Sequence, residues 1–375
     1  MDAMDAPSWC AIVLCGAPDD RSVGVDLHYA RGLPPGRPTG IHVPPGAHFV
    51  RVIGPADVCG VFLDVAEGQA KALVWDKECE TFQEAKEDDD EAYRYVQAAK
   101  SGKLPLAPCD QARCDTWTRL VSRVDQALLD RIAPVGGTIC ASLEPDPFQN
   151  QKSKAELLLD QQLERNPRKE ENEDACSSGG GRCFYTPVER LVKRKNKDAD
   201  ASELTESNLN RWGQLLRIVE KHHQGNPLCL LGEFQFSFVA FLLGQSILSF
   251  FHWRDIVTLV LNCDPITMDE KHRLFLEEFL RALHWQLHLA LEEGSGADTN
   301  GLFEGGFMEE LLEGSFIRSA VAAFVEMVAD APPELSRVAD AAGKIKQLLK
   351  SALGWDFSIT SLDNDDEFAP TVVQL

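Results

Sequence analysis

Positive charge is what this chain has least of. Lys and Arg total 37 against 59 Asp and Glu, a formal net charge of −22 at pH 7. Proteins that hold nucleic acid by its phosphates need Lys and Arg to replace the released counterions, so this balance argues against direct nucleic-acid binding by the molecule as a whole. Cys-x-x-Cys is missing although the chain has 11 cysteines. Cys109 with Cys114, and Cys176 with Cys183, have spacings that match no usual zinc module. Cys10, Cys15, Cys59, Cys79, Cys140, Cys229 and Cys263 mostly lie in apolar runs, where cysteine acts as a small buried hydrophobe, and a reducing compartment is expected. Gly-x-Ser-x-Gly and Asp-Thr/Ser-Gly do not occur, and the triple glycine ending at Gly181 is not followed by the Lys-Ser/Thr of a phosphate loop. Neighbouring carboxylates are plentiful, but in so acidic a chain they carry no weight. No catalytic residue, cofactor or metal ligand is therefore assigned.

Two histidine pairs bear on that conclusion. His284 and His288 are four apart on an expected helix and can face one metal, but the residues between them, Trp285, Gln286 and Leu287, include no glutamate base and no third ligand is placed. Partly exposed helix histidines are the simpler reading. His222 and His223 fit a helix end, where imidazoles interact favourably with the last carbonyls. Met1–Trp9 carries Asp2 and Asp5 and no basic start, so no secretory leader is expected. Phe234–Phe251 is strongly apolar but interrupted by Gln235, Ser237, Gln245, Ser246 and Ser249, which reads as the central helix of a soluble domain rather than a membrane span.

What is present divides the chain of 375 residues into segments of different character. Residues 1–143 read as a β-sandwich-like domain with flanking helices. Short branched-residue runs at Cys10–Cys15, Val23–Leu27, Thr39–Val43, His48–Ile53, Val58–Val65 and Ala70–Trp75 are separated by Gly/Pro punctuation. No long helix separates them, which favours two packed sheets over a doubly wound parallel one. Val61–Trp75 reads as a hairpin turning at Glu67 and Gly68. Glu84–Ala99 and Asp115–Ile132 read as helices, the second with Trp117, Leu120, Val121, Val124 and Leu128 on one face.

Residues 144–201 are charged and Gly/Ser-rich and read as a mobile linker. It holds a helix-like island at Ala155–Leu163, an extended island at Cys183–Pro187 and a basic cluster at Lys193–Lys197, most simply a solvated charge run. Residues 202–357 read as an all-α domain. Ser202 is expected to cap a helix carrying Leu209, Trp212, Leu216 and Val219, and Glu233–His252 follows as an apolar helix. Thr267–Glu270 is expected as the capping box of a helix with Leu276, Phe279, Leu280, Leu283, Leu287 and Leu291 inward. Met308–Ala329 and Glu334–Leu353 complete the set, the last closing at Gly354. Residues 358–375 form an acidic extended tail: four acids within Asp363–Glu367, then Phe368–Leu375. A strand-prone tip on an acidic spacer can add a strand to a partner's sheet edge.

Four stretches, in order, carry a resemblance: Gly24–Tyr29 (GVDLHY) with Gly40–Phe49 (GIHVPPGAHF), Leu230–Gly244 (LLGEFQFSFVAFLLG), Trp355–Phe357 (WDF) and Ala369–Leu375 (APTVVQL). The chain resembles the A1-cistron splicing factor (Aar-two) family. That resemblance implies a non-enzymatic assembly chaperone of the U5 small nuclear ribonucleoprotein (U5 snRNP) in pre-mRNA splicing, with a VHS-like C-terminal helical domain. It implies binding to the RNase H-like and Jab/MPN-like domains of the large spliceosomal scaffold protein, blocking premature helicase and RNA engagement. The partner-binding residues it implies are Phe368, Ala369, Pro370, Thr371, Val372, Val373, Gln374 and Leu375. A cytoplasmic monomer that shuttles to the nucleus is expected, with no cofactor, membrane or direct nucleic-acid partner. A trafficking adaptor whose helical domain binds sorting peptides is the alternative.

Overall fold

Cys10–Cys15 (β1) is apolar at every position because both of its faces are covered. Cys10, Ile12 and Leu14 project into a core shared with Val23, Val25, Val50, Val52, Leu63 and Val65. Val13 and Cys15 point the other way and pack with Ala72 and with Ala92 and Ala99 of Asp90–Lys100 (α1). Each large apolar side chain so buried contributes about 1.5–3 kcal/mol.

The remaining strands are Ser22–Val25 (β2), His28–Ala30 (β3), Thr39–Val43 (β4), Gly46–Ile53 (β5), Val58–Val65 (β6), Ala70–Asp76 (β7), Thr81–Glu84 (β8), Leu106–Ala107 (β9) and Thr138–Cys140 (β10). They form two five-stranded sheets, ordered β8-β7-β1-β4-β9 and β10-β6-β5-β2-β3. Most pairings are antiparallel, with β1 parallel to β7 and β4 parallel to β9. The expected two-sheet architecture is what the chain adopts.

The expected Val61–Trp75 hairpin is not. β6 is paired along its length with β5 and at Cys59–Val61 with β10, while β7 pairs with β1 and β8 in the other sheet. The turn at Glu67 and Gly68, where Gly68 takes φ +72°, instead carries the chain from one sheet to the other. Ala11 donates its amide to the Gln69 carbonyl, 3.1 Å away, which steers β7 alongside β1.

The computed structural model describes residues 10–16, 18, 21–30, 38–54, 57–86, 88–145, 181–188, 210–295 and 316–357. It divides into two compact units, residues 1–185 with 232–253, and residues 186–231 with 254–375. The sequence reading placed 232–253 with the helices, whereas these residues cluster with the sheets.

Helices depart from expectation at their ends and breaks. The helix expected from Glu84 begins at Asp90, after β8, where Asp89 accepts from the Glu91 and Ala92 amides. The single helix expected over Asp115–Ile132 is two, Gln111–Leu120 (α2) and Gln126–Ile132 (α3). The first ends at Val121, whose amide bonds the Trp117 carbonyl, and Asp125 opens the second by accepting from the Leu128 amide at 2.9 Å. Arg211–His223 (α4) is capped by Asn210 and buries Leu215, Ile218 and Val219, while Leu216, expected inward, is partly exposed. Ser202 lies outside the described residues.

The apolar run expected as one helix over Glu233–His252 is broken into Pro227–Leu242 (α5) and Ile247–Leu261 (α6). Gln245, with φ +54°, makes the break after Gly244. No helix among the described residues is long and apolar enough to cross a membrane. Glu270–Ser295 (α7) opens at Asp269, whose carboxylate accepts from the His272 amide at 2.9 Å; Thr267, expected as the cap, bonds the Asp264 carbonyl instead. Phe316–Met327 (α8) and Ser336–Leu353 (α9) complete the second unit. Its core joins Leu276, Phe279, Leu280, Leu283 and Leu287 of α7 to Ile317, Val321 and Phe324 of α8 and Val338, Ile345 and Leu349 of α9.

Candidate functional site

The tail singled out from sequence, Phe368, Ala369, Pro370, Thr371, Val372, Val373, Gln374 and Leu375, lies outside the described residues, as do the Lys193–Lys197 cluster, the Ala155–Leu163 island and Cys176. Its root is described. α9 ends at Gly354, whose φ of +66° admits the left-handed cap and whose amide bonds the Lys350 carbonyl at 3.0 Å. Beyond the cap the chain is anchored. Phe357 is buried, its ring lies 6.4 Å from that of Trp355, and Arg318 of α8 donates to the Asp356 carbonyl at 3.1 Å.

The sheets themselves offer little for strand addition. Among the described residues their edges are β8, β9, β3 and β10, of four, two, three and three residues, and short edges are the usual defence against unwanted pairing. On β8, Glu84 is further occupied by Lys71 at 2.8 Å.

The first motif stretches, Gly24–Tyr29 and Gly40–Phe49, are built into the frame of the first unit. Asp26 sits at φ +54° in the turn after β2. Its Oδ1 accepts from the Phe49 amide at 2.9 Å, and its Oδ2 lies 2.7 Å from His48 Nδ1. His48 Nε2 lies 2.8 Å from the Pro44 carbonyl oxygen. Burial pushes this imidazole down, but the Asp26 charge and hydrogen bond, the Pro44 carbonyl and the Asp64 charge together hold it above its ordinary 6.5. Gly24 and Gly60 both stand opposite Arg51 in the ladder, and a Cβ on Gly24 would meet Arg51 Nε at 2.7 Å. Gly24 makes room for the long side chain, whereas a Cβ on Gly60 would meet the Phe49 ring at 2.2 Å.

The Leu230–Gly244 motif is likewise structural. Gln235 accepts from the Arg123 amide at 2.7 Å and donates to Ser122 Oγ at 3.0 Å. Glu233 takes Arg131 on one oxygen at 2.8 Å and lies 2.9 Å from His252 Nε2 on the other. Phe236 stacks on Phe62 with centroids 4.4 Å apart, and Tyr185 stacks on His252 at 4.3 Å. Tyr185 also bonds Ser249 at 2.6 Å, and burial raises its hydroxyl well above the usual value. Burial likewise raises Glu144, which bonds the Ser246 hydroxyl and the Leu248 amide. These buried polar groups are partnered with one another, the arrangement expected of a specified core. None of them forms a nucleophile and base opening on a cavity.

His284 and His288 have ring centroids 6.1 Å apart, and among the described residues no third His, Cys, Asp or Glu joins them. His284 lines a cavity of about 370 Å³ between α7 and α9. Glu277 there is paired to Arg281 and lies 4.0 Å from Arg337, so opposite charges line the same wall. Of the cysteines expected in apolar surroundings, Cys10, Cys15, Cys59, Cys140 and Cys263 are buried, Cys79 is partly buried and Cys229 is exposed. Sequence reasoning missed the large apolar side chains that remain half or more exposed: Tyr93, Val135 and Phe184 in the first unit, and Ile266 and Leu274 in the second. Periodicity finds faces, and single exposed residues leave no such signal.

Comparison with known proteins matches both units. A family model described as the AAR2 N-terminal domain matches residues 8–134, and one described as the AAR2 C-terminal repeat region matches residues 185–358. Among curated proteins the chain is similar to Protein AAR2 homolog of Caenorhabditis elegans, 25% identical over 334 residues, covering 84% of this chain and 86% of that protein. The Protein AAR2 homolog of Mus musculus is 23% identical over 399 residues, covering 97% and 93%. That of Homo sapiens is 22% identical over 398 residues, with the same coverage. The first three motif stretches fall within the matched regions; Ala369–Leu375 lies beyond them.

Proposed function

We propose that this chain, which belongs to the AAR2 family, is a non-enzymatic assembly chaperone of the U5 snRNP in pre-mRNA splicing. The observation that carries this reading is the family match across both units, in order, which supports a splicing-related role. The finer reading rests on the family resemblance, with which the chain's own chemistry accords. It works by masking a protein surface: the RNase H-like and Jab/MPN-like domains of the large U5 scaffold protein, which it withholds from helicase and RNA until the particle matures. The helical unit belongs to the VHS-like class in this reading. The protein acts as a cytoplasmic monomer that reaches the nucleus with its cargo.

Phe368–Leu375 is the strand lent to the scaffold. The sheets of the first unit have only short edges among the described residues, so the donor is better sought in the tail. Residues 358–367 separate the anchored Phe357 from Phe368 and, at roughly 3.3–3.6 Å per residue when extended, set an upper reach of about 35 Å. The same spacer carries Asp363, Asp365, Asp366 and Glu367 and no base. With a chain charge of −22, it competes with RNA for basic surfaces of the partner by charge complementarity.

Affinity capture from a cell extract with the intact chain, and with a chain ending at Asp366, tests the reading. The large U5 scaffold is expected with the first bait and depleted with the second. Equal recovery would remove the tail from the mechanism, and vesicle coat proteins in place of the scaffold would replace the reading with a trafficking adaptor.

A further inference from the structure

Folding brings His28 to two cysteines that lie far from it in sequence. His28 opens β3, Cys109 follows β9, and Cys114 lies in the first turns of α2. Three bonds hold α2 and its leading loop on this side of the second sheet. The Asp110 amide donates to His28 Nε2 at 3.1 Å, Arg113 donates to the Leu27 carbonyl at 2.6 Å, and Trp117 donates its indole N–H to the Ala47 carbonyl at 2.8 Å. A ring nitrogen of His28 and the sulfurs of Cys109 and Cys114 all lie within 4.8 Å of one another.

We infer that, in the reduced protein, His28, Cys109 and Cys114 form a binding site for a divalent cation of the zinc class. Two thiolates and one imidazole are the ligands such an ion prefers, and the two thiolates cancel its charge. His28 Nε2 accepts a hydrogen bond from the Asp110 amide in the loop that holds both cysteines, so the ring already faces that loop, and ligation through Nε2 exchanges this hydrogen bond for a metal–nitrogen bond. The cysteines face each other as a disulfide-bonded pair with Cα atoms 6.7 Å apart, close to the upper end of the range of about 4.4–6.8 Å that a disulfide spans. On reduction the same separation leaves room for both sulfurs on one ion. Binding replaces each S–H by a metal–sulfur bond and releases two protons to solvent.

Asp110 does not supply the fourth ligand, because its carboxylate caps α2 on the Ala112 and Arg113 amides. His28 and Cys109 are only partly buried, so the fourth position faces solvent and takes water. The ion would fasten the β2–β3 turn to the start of α2 at a point where the sequence alone shows only an unmatched Cys-x-x-x-x-Cys.

A second grouping, Asp57 with Cys59 and Cys140, carries the argument less far. Cys59 and Cys140 are a cross-strand pair with sulfurs 2.8 Å apart, Asp57 is already held by Ser142 at 2.7 Å, and no imidazole is present.

The full chain, reduced with a phosphine, desalted without oxygen and titrated with Co²⁺, tests the inference. One equivalent should develop the intense visible bands of tetrahedral cobalt together with sulfur-to-metal charge transfer, and Zn²⁺ should abolish both. Cys109→Ser and His28→Gln, each checked by circular dichroism for an unchanged fold, should lose the signal. Cys229→Ser, at an exposed cysteine elsewhere, should keep it. Absence of charge transfer in the wild-type chain, or titrations unaltered by Cys109→Ser and His28→Gln, would overturn the site. A Cys109–Cys114 bridge that resists the phosphine in the folded protein, seen as these two cysteines escaping alkylation, would overturn it equally.

Discussion

His48 has an oxygen acceptor at each ring nitrogen, the Asp26 carboxylate at 2.7 Å and the Pro44 carbonyl at 2.8 Å. Only the imidazolium donates from both, which is why its pKa is raised in spite of burial. A raised folded value fixes the sign of the pH dependence. The stabilisation is fully present below the ordinary 6.5 and is lost as pH climbs through the elevated folded value. The urea midpoint of the wild-type chain, compared with that of His48→Gln, should therefore converge on the variant's as pH rises through that window. At pH 6 the variant should be less stable by about 3–5 kcal/mol, the cost of leaving a buried charge without its partner. A gap that widens with pH would contradict the assignment. At this scale the sequence was least legible. Asp26 and His48 are separate members of two motif stretches, and nothing in either stretch says that they meet. The same holds for His28 with Cys109 and Cys114, whose proximity depends on the docking of α2. Pairings across many residues are set by tertiary packing, which composition and spacing do not encode.

Elements were more legible, because their signals are local. All six strand runs read from sequence lie within two residues of observed strands, since branched apolar runs bounded by Gly and Pro have few other uses. The run Val23–Leu27 ends at Val25 because Asp26 turns the chain. What failed was pairing: β6 and β7 are neighbours in sequence but belong to different sheets, and a turn signal does not state which strands it joins. The break between α5 and α6 failed for a related reason, an apolar run being equally apolar on both sides of a left-handed Gln245.

Two glycine substitutions test the element packing. A Cβ on Gly232 of α5 would meet the Arg123 carbonyl oxygen at 2.3 Å, at the turn that Gln235 also bonds. Gly232→Ala should lower stability by about 1–3 kcal/mol as the helix is forced off that turn. Gly343 in α9 has nothing within 4 Å of a built Cβ, and Gly343→Ala should raise stability by about 0.5–1 kcal/mol. Thermal unfolding of the two variants should move in opposite directions, and parallel shifts would contradict the packing described for α5.

At the scale of the whole molecule the two-part α+β organisation follows from a change of hydrophobic period along the chain, and that change is visible in the sequence. The net charge of −22 predicts that association with a basic partner weakens as salt is raised from low to physiological ionic strength, where screening acts over about 8–10 Å. Binding measured calorimetrically at two salt concentrations checks this, and a salt-independent affinity would remove the acidic exterior from the account. The tail is the feature on which the proposed mechanism depends. Amide hydrogen exchange across residues 368–375, with and without the scaffold's RNase H-like and Jab/MPN-like domains, measures it directly. The account predicts slowed exchange at these amides only when the partner is present, as strand addition requires. Exchange that is equally fast in the complex, or already slow in the isolated chain, would contradict it.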